Sequence, residues 1–233
     1  MPSIEFKYDP EKDSWNILRI FTETNSFDVD DANYRFTGLP QELIEALNNA
    51  PDIEHKKKLI DNYTERFALE NKNLIDQKIK SFSEDWAEIN NDYFGRLEKI
   101  LNININPQLI YLAYLTTAGS CPYDAGKQFF MVRLKDEKVD TVSAHEIMHI
   151  EFIRTYGIYC RDLGLPPKQF ADLKEALTVL LNEEMSDLFS RPDYGYKEHQ
   201  ELRGQILTIW RKNKDIKNLI TEIRPFLNNL TSA

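Results

Sequence analysis

Between Asn73 and Ile100 the apolar residues Ile75, Ile79, Phe82, Trp86, Ile89, Tyr93, Leu97 and Ile100 recur at steps of three and four. That period predicts one long amphipathic helix with a continuous apolar stripe. Such a stripe has to be covered, either by the core of the same chain or by a helical seam with a second copy. The chain has 233 residues, enough for one well-buried core or for a catalytic domain with an appendage. Its 42% hydrophobic and 29% charged residues are ordinary for a globular protein.

Upstream, residues 1–38 alternate aromatics with acids and show no chemistry. The acids Asp28, Asp30 and Asp31 lack the glycine and the terminal Glu of a calcium loop. A helix start at Leu39-Pro40 and a second helix from about Ile53 to Leu69 follow, with His55 as a surface histidine. Downstream, Leu101 to Asn106 alternates with period two until Pro107, and Leu109–Thr117 and Gln128–Leu134 are further β-prone runs. Together they predict a small antiparallel sheet. A helix from about Val139 to Tyr156 ending near Gly157, another from Lys168 to Phe189 opened by Pro166-Pro167, and two helices in the last 35 residues complete the chain. The expected class is α+β, mainly α. The expected division is an N-terminal helical appendage over residues 1–72 and a catalytic domain with a C-terminal helical subdomain over 73–233.

The chemistry concentrates in Thr141–Glu151, TVSAHEIMHIE. On a helix His145 and His149 lie about 40° apart around the axis, so their rings can share one Zn²⁺. Glu146 projects about 100° away from His145, toward the place a general base would occupy. The flanks Val142, Ala144, Ile147, Met148 and Ile150 indicate a buried helix, where this polar trio needs a partner. In the next helix Glu183 and Asp187 are again four apart, beside the small and apolar Ala176 and Leu180. Two buried carboxylates there would have to be neutralised.

These two stretches resemble the zinc-binding and third-ligand helices of the HExxH metallopeptidases, the zincins. Asn182–Asp187, NEEMSD, is similar to the NExxSD string of the thermolysin-like, glutamate-liganded members. Only Glu151 departs from the longer zincin pattern, a charge that could tilt the last turn toward solvent, and the link from His149 to Glu183 is longer than in the compact members. The resemblance implies a zincin-like fold in which a small antiparallel sheet precedes the zinc helix. It implies Zn²⁺ on His145, His149 and Glu183, with Glu146 as general base and Asp187 holding His145 in its tautomer. Glu175 and Glu184 on the same helix are rival third ligands. Tyr194, Tyr196, His199 and Arg203 are candidates to stabilise the oxyanion. A peptide or protein substrate would pair with an edge strand, for which Gln128–Leu134 is the candidate. The activity implied is peptide-bond hydrolysis; a non-catalytic zinc-binding or peptide-binding protein is the alternative.

A net charge of −9 with no concentrated basic footprint argues against a nucleic-acid partner. The run Lys56–Lys58 reads as a solvated helix face. No secretory signal pattern opens the sequence, and the longest apolar run, Leu109–Leu115, is too short for a membrane span. Cys121 and Cys160 suit a reducing compartment, so the expected location is cytoplasmic. Cys121, in the turn ahead of the candidate substrate strand, reads as an ordinary thiol rather than a zinc-blocking one, and Cys160 as packing. Oligomeric state is not encoded in any feature of the sequence.

Overall fold

The computed structural model describes residues 1–22 and 36–230. The acidic cluster Asp28, Asp30 and Asp31 lies outside the described residues. The chain is mainly helical around a small mixed sheet of four strands, β1 (Ser3–Tyr8), β2 (Ile110–Thr116), β3 (Tyr123–Asp124) and β4 (Phe129–Arg133), in the order β1-β2-β4-β3. The helices are α1 (Pro10–Thr22), α2 (Gln41–Asn49), α3 (Ile53–Glu70), α4 (Lys72–Leu101), α5 (Asp140–Asp162), α6 (Pro167–Leu177), α7 (Val179–Met185), α8 (Gln200–Asn213) and α9 (Ile216–Leu230). No helix among the described residues is long and apolar enough to cross a membrane.

The stripe of α4 is buried by its own chain. Phe82, Trp86, Tyr93, Phe94 and Leu97 sit in one core with Tyr111 and Leu115 of β2, Phe130 and Val132 of β4, and Ile147 and Met148 of α5. Phe94 stacks on Tyr111 with ring centroids 5.6 Å apart. The first half of helix α5, from Asp140 to Phe152, is buried on nearly all sides, as a stretch carrying apolar residues all round must be. The Tyr93 hydroxyl donates to the Ala144 carbonyl (2.7 Å), so α4 fixes α5 at the turn that carries His145.

Several elements differ from the sequence expectations. The sheet is not antiparallel: β1 and β4 both run parallel to β2, and only the short edge strand β3 is antiparallel, to β4. Strand direction depends on how the connections cross, which alternation alone does not encode. Leu101–Asn106 is no strand. Helix α4 runs to Leu101, Asn102 turns left-handed at φ 51°, and Glu98 accepts from the Ile103 amide through its carbonyl and from the Ile105 amide through its side chain, so these two amides cap the helix instead of joining a ladder. Gln128–Leu134 is not an edge either, since β4 lies between β2 and β3. Helix α5 passes Gly157 and runs to Asp162; just beyond it Gly164 adopts φ 81°, and Leu165 donates back to the Cys160 carbonyl. The helix expected over Lys168–Phe189 is two helices, broken at Thr178, whose hydroxyl donates to the Glu175 carbonyl (2.8 Å).

The first residues are not a purely helical appendage, because β1 pairs along its whole length with β2. From α1, buried Asp13 accepts from the hydroxyls of Tyr8, Thr116 and Thr117 and from the Thr117 amide. Nearby, Asn16 donates to the Ser120 carbonyl (2.8 Å). Four donors on one buried carboxylate make a fully satisfied pin, and it anchors the loop that forms one wall of the site.

Candidate metal centre

Helix α5 is held at its N-terminal turn by Asp140, which accepts from the backbone amide (2.6 Å) and hydroxyl (2.8 Å) of Ser190. One turn on, the rings of His145 and His149 stand edge to face with centroids 4.2 Å apart, as the four-residue spacing requires. From α6, Oε2 of Glu175 lies 3.1 Å from His149 Nε2 and 3.6 Å from His145 Nε2. The donor atoms of these three residues all lie within 4.8 Å of one another. Ligands about 2.0–2.1 Å from a tetrahedral Zn²⁺ stand roughly 3.3 Å apart, so the two measured separations bracket the spacing such a site needs. Two imidazoles and a carboxylate are also the donor set borderline divalent cations prefer.

Glu175 and the histidines are each held from behind. Lys174, buried beside Tyr123, donates to the other Glu175 oxygen, Oε1, and leaves Oε2 turned toward the histidines. His145 Nδ1 lies 3.2 Å from Asp193 Oδ2. Asp193 is itself locked: its amide donates to Asn182 Oδ1 (2.8 Å), and its carbonyl accepts from Asn182 (2.7 Å) and Arg203 (2.6 Å). Gly195, at φ 61°, lets Arg203 through, because a Cβ there would meet its guanidinium at 2.4 Å.

Electrostatics follow from that geometry. Burial drives His149 down to about 3, with the neighbouring His145 adding to the effect, so it is the neutral ring a metal requires. Burial also works against charge on His145, but the hydrogen bonds with Asp193 and Glu175 overcome it and raise His145 to about 10. The same bonds, against burial, hold both carboxylates well below their ordinary range. A proton on His145 therefore occupies the place a cation would take, and the two compete. Burial pushes Glu146 up to about 7, and its Oε2 has no hydrogen-bond partner among the described residues.

His145, Glu146, His149 and Glu175 open into a cleft of about 520 Å³. Its walls are the Gly119–Tyr123 loop ahead of β4 and the Arg191–Tyr196 segment after α7. Tyr194 and Tyr196 stand exposed on its rim. Cys121 lines it too, its thiol pushed up to about 12 by burial, and adds no ligand to the cluster.

The structure does not bring Glu183 or Asp187 to the histidines. Glu183 forms a two-pronged ion pair with Arg211 (2.8 and 2.7 Å), and Asp187 does the same with Arg96 (2.5 and 2.7 Å). The break at Thr178 redirects α7, and nearby guanidiniums satisfy its acids at the surface. Glu184, the other rival, accepts from Trp210 and Lys214. His199 pairs with Asp172 at 3.3 Å and is not part of the cleft. Glu175, the rival on the shorter link, takes the position expected of Glu183, and Asp193 the one expected of Asp187. Lys174-Glu175 is a charged pair inside the apolar run Leu173–Leu181, a signal that both need buried partners. Asp193 carries no such signal, since its loop reads as ordinary turn composition. Glu151 does not tilt its turn outward: it is buried, accepting from the Tyr111 hydroxyl (2.7 Å) and from Arg154 (2.8 Å).

No protein-family model matches the chain, and no curated protein or solved structure gives a significant match.

Proposed function

We propose that the chain is a zinc-dependent peptidase of the zincin type, with His145, His149 and Glu175 holding the metal. The observation that carries this reading is the convergence of those three donors on one point, with the buried, unpartnered Glu146 carboxylate beside them in an open cleft. A divalent cation there would supply a Lewis-acidic centre and bring the pKa of a water to about 7. The chain's own residues do the remainder. Glu146, near 7, is matched to accept a proton at Oε2 and to pass it to the leaving amine. Asp193 fixes the tautomer and orientation of His145, and Lys174 fixes which oxygen Glu175 presents. Tyr194 and Tyr196, exposed on the rim, are the candidates to donate to the developing oxyanion. Peptide is the substrate class because a cleft flanked by an edge strand suits an extended chain, with the short β3 edge rather than β4 available to it. The two unpaired cysteines fit a reducing, cytoplasmic setting.

The test is Glu146→Gln. Hydrolysis of a mixed peptide pool should fall by at least two orders of magnitude while bound zinc is unchanged. Full activity in that variant would remove Glu146 from the reaction. A second reading has its own support: His145 set between Asp193 and Glu175 closes its charges without a cation, as a purely structural ion-pair cluster. In that case the folded chain binds no zinc and Glu146→Gln changes only stability.

A further inference from the structure

We propose that Arg191 recognises a carboxylate of the peptide substrate, so that the cleft selects a free C-terminus or an acidic side chain. The inference rests on the peptidase reading of the cleft and deepens it.

A chain of net charge −9 repels acidic ligands at long range, yet three arginines, Arg19, Arg133 and Arg191, line this one cleft. Of the acids that line the cleft, Glu175 is taken by Lys174 and the histidines and Asp193 by His145 and Arg203, which leaves Glu146 as the acid whose Oε2 has no partner among the described residues. Arg133 is paired with Asp136 (2.8 Å), and Arg19 donates to Ser120 Oγ (2.7 Å), so both have set positions in the wall. Arg191 differs. It is exposed on the lip, and its guanidinium makes no hydrogen bond or ion pair with any described residue.

Its backbone nonetheless is fixed. The Thr141 hydroxyl donates to the Arg191 carbonyl (2.8 Å), and Thr141 is one helical turn before His145, a rise of about 6 Å. On either side in sequence, Ser190 is tied to Asp140 and Asp193 to His145. The result is a guanidinium whose origin is anchored within a turn of the metal ligands while its head is uncommitted. A planar fork of N–H donors matches a carboxylate two-to-two, which a point charge does not.

The experiment measures binding, not turnover, by fluorescence anisotropy on the full chain. The probes are N-terminally labelled tetra-alanine with a free C-terminus, its C-terminal amide, and the amide carrying one glutamate. All are run in excess chelator, on wild type, Arg191→Ala and Arg191→Lys. The expected result is that one or both carboxylate-bearing peptides bind wild type about tenfold tighter than the neutral amide, and that Arg191→Ala reduces the difference to about twofold or less. Arg191→Lys should restore only part of it. Preference for the free acid assigns a C-terminal carboxylate, and preference for the glutamate-bearing amide an acidic side chain. Equal binding of all three probes, or a preference that persists in Arg191→Ala, overturns the proposal. Because the chelated protein is used, a chain that never binds zinc sinks the peptidase reading without touching this outcome, and the reverse also holds.

Discussion

Two clusters of acids on consecutive helices can be set side by side. On α6, Glu175 is turned inward onto two histidines and a buried lysine. On α7 and just past its end, Glu183 and Asp187 are turned outward onto Arg211 and Arg96. The residue types match; the surroundings do not. An exposed carboxylate–guanidinium pair is screened by water and contributes roughly 0–1 kcal/mol. A buried carboxylate has to be neutralised by fixed neighbours, and such a cluster is poised either to take up a cation or to hold a proton in its place. Burial and partner, not spacing alone, decide which acids can do chemistry.

The largest expected effect is on the coupling of zinc to stability. At about 100 times its dissociation constant, zinc adds about 2.7 kcal/mol, which for a chain of this size is roughly 5–10 °C in Tm. Thermal melts with zinc and with chelator should show that gap in wild type and in Glu183→Ala, and not in Glu175→Ala. A gap lost in Glu183→Ala would invert the comparison.

Next comes the pair of aspartates. Asp193→Asn should weaken zinc binding by about 10 to 100-fold in a competition titration, the usual cost of losing a partner behind a liganding His. Asp187→Asn should leave the affinity unchanged.

The pH dependence of the metal-free chain sharpens the contrast. His145 is raised from 6.5 to about 10 in the folded state, so its contribution is fully present below pH 6.5 and is lost as pH rises through 10. Glu146, raised from 4.5 to about 7 by burial, adds a loss in the same direction between those values. Denaturant titrations without zinc should therefore show stability falling on the order of a few kcal/mol from pH 6.5 to 10. Zinc should flatten the His145 part, because the cation displaces that proton. The smallest effects are Glu183→Ala and Asp187→Ala on the metal-free chain, each expected to leave the denaturation midpoint nearly unchanged.

How much of this was readable in the sequence depends on how locally each feature is determined. His145, Glu146 and His149 are legible because a single helix of period 3.6 places them, and the flanking apolar residues declare that helix buried. The α4 stripe and the runs that became β2 and β4 are legible for the same reason. The third ligand is not, because it comes from another helix. Its identity turns on the break at Thr178, which contains neither Gly nor Pro and is stabilised by the Thr178 hydroxyl and Arg203. Asp193 depends on Asn182 and Arg203, 11 residues before it and 10 after it on two different helices, and only the fold brings those helices to its loop. The strand expected at Leu101–Asn106 shows the opposite failure, where a local alternation is overridden because Glu98 takes the amides a strand would use.

The most direct measurement is zinc per chain by elemental analysis, on wild type, Glu175→Ala and Glu183→Ala purified side by side after zinc reconstitution. The expected result is about one zinc in wild type and in Glu183→Ala, and almost none in Glu175→Ala. No zinc in well-folded wild type, or zinc lost from Glu183→Ala and kept in Glu175→Ala, would contradict the site built from His145, His149 and Glu175.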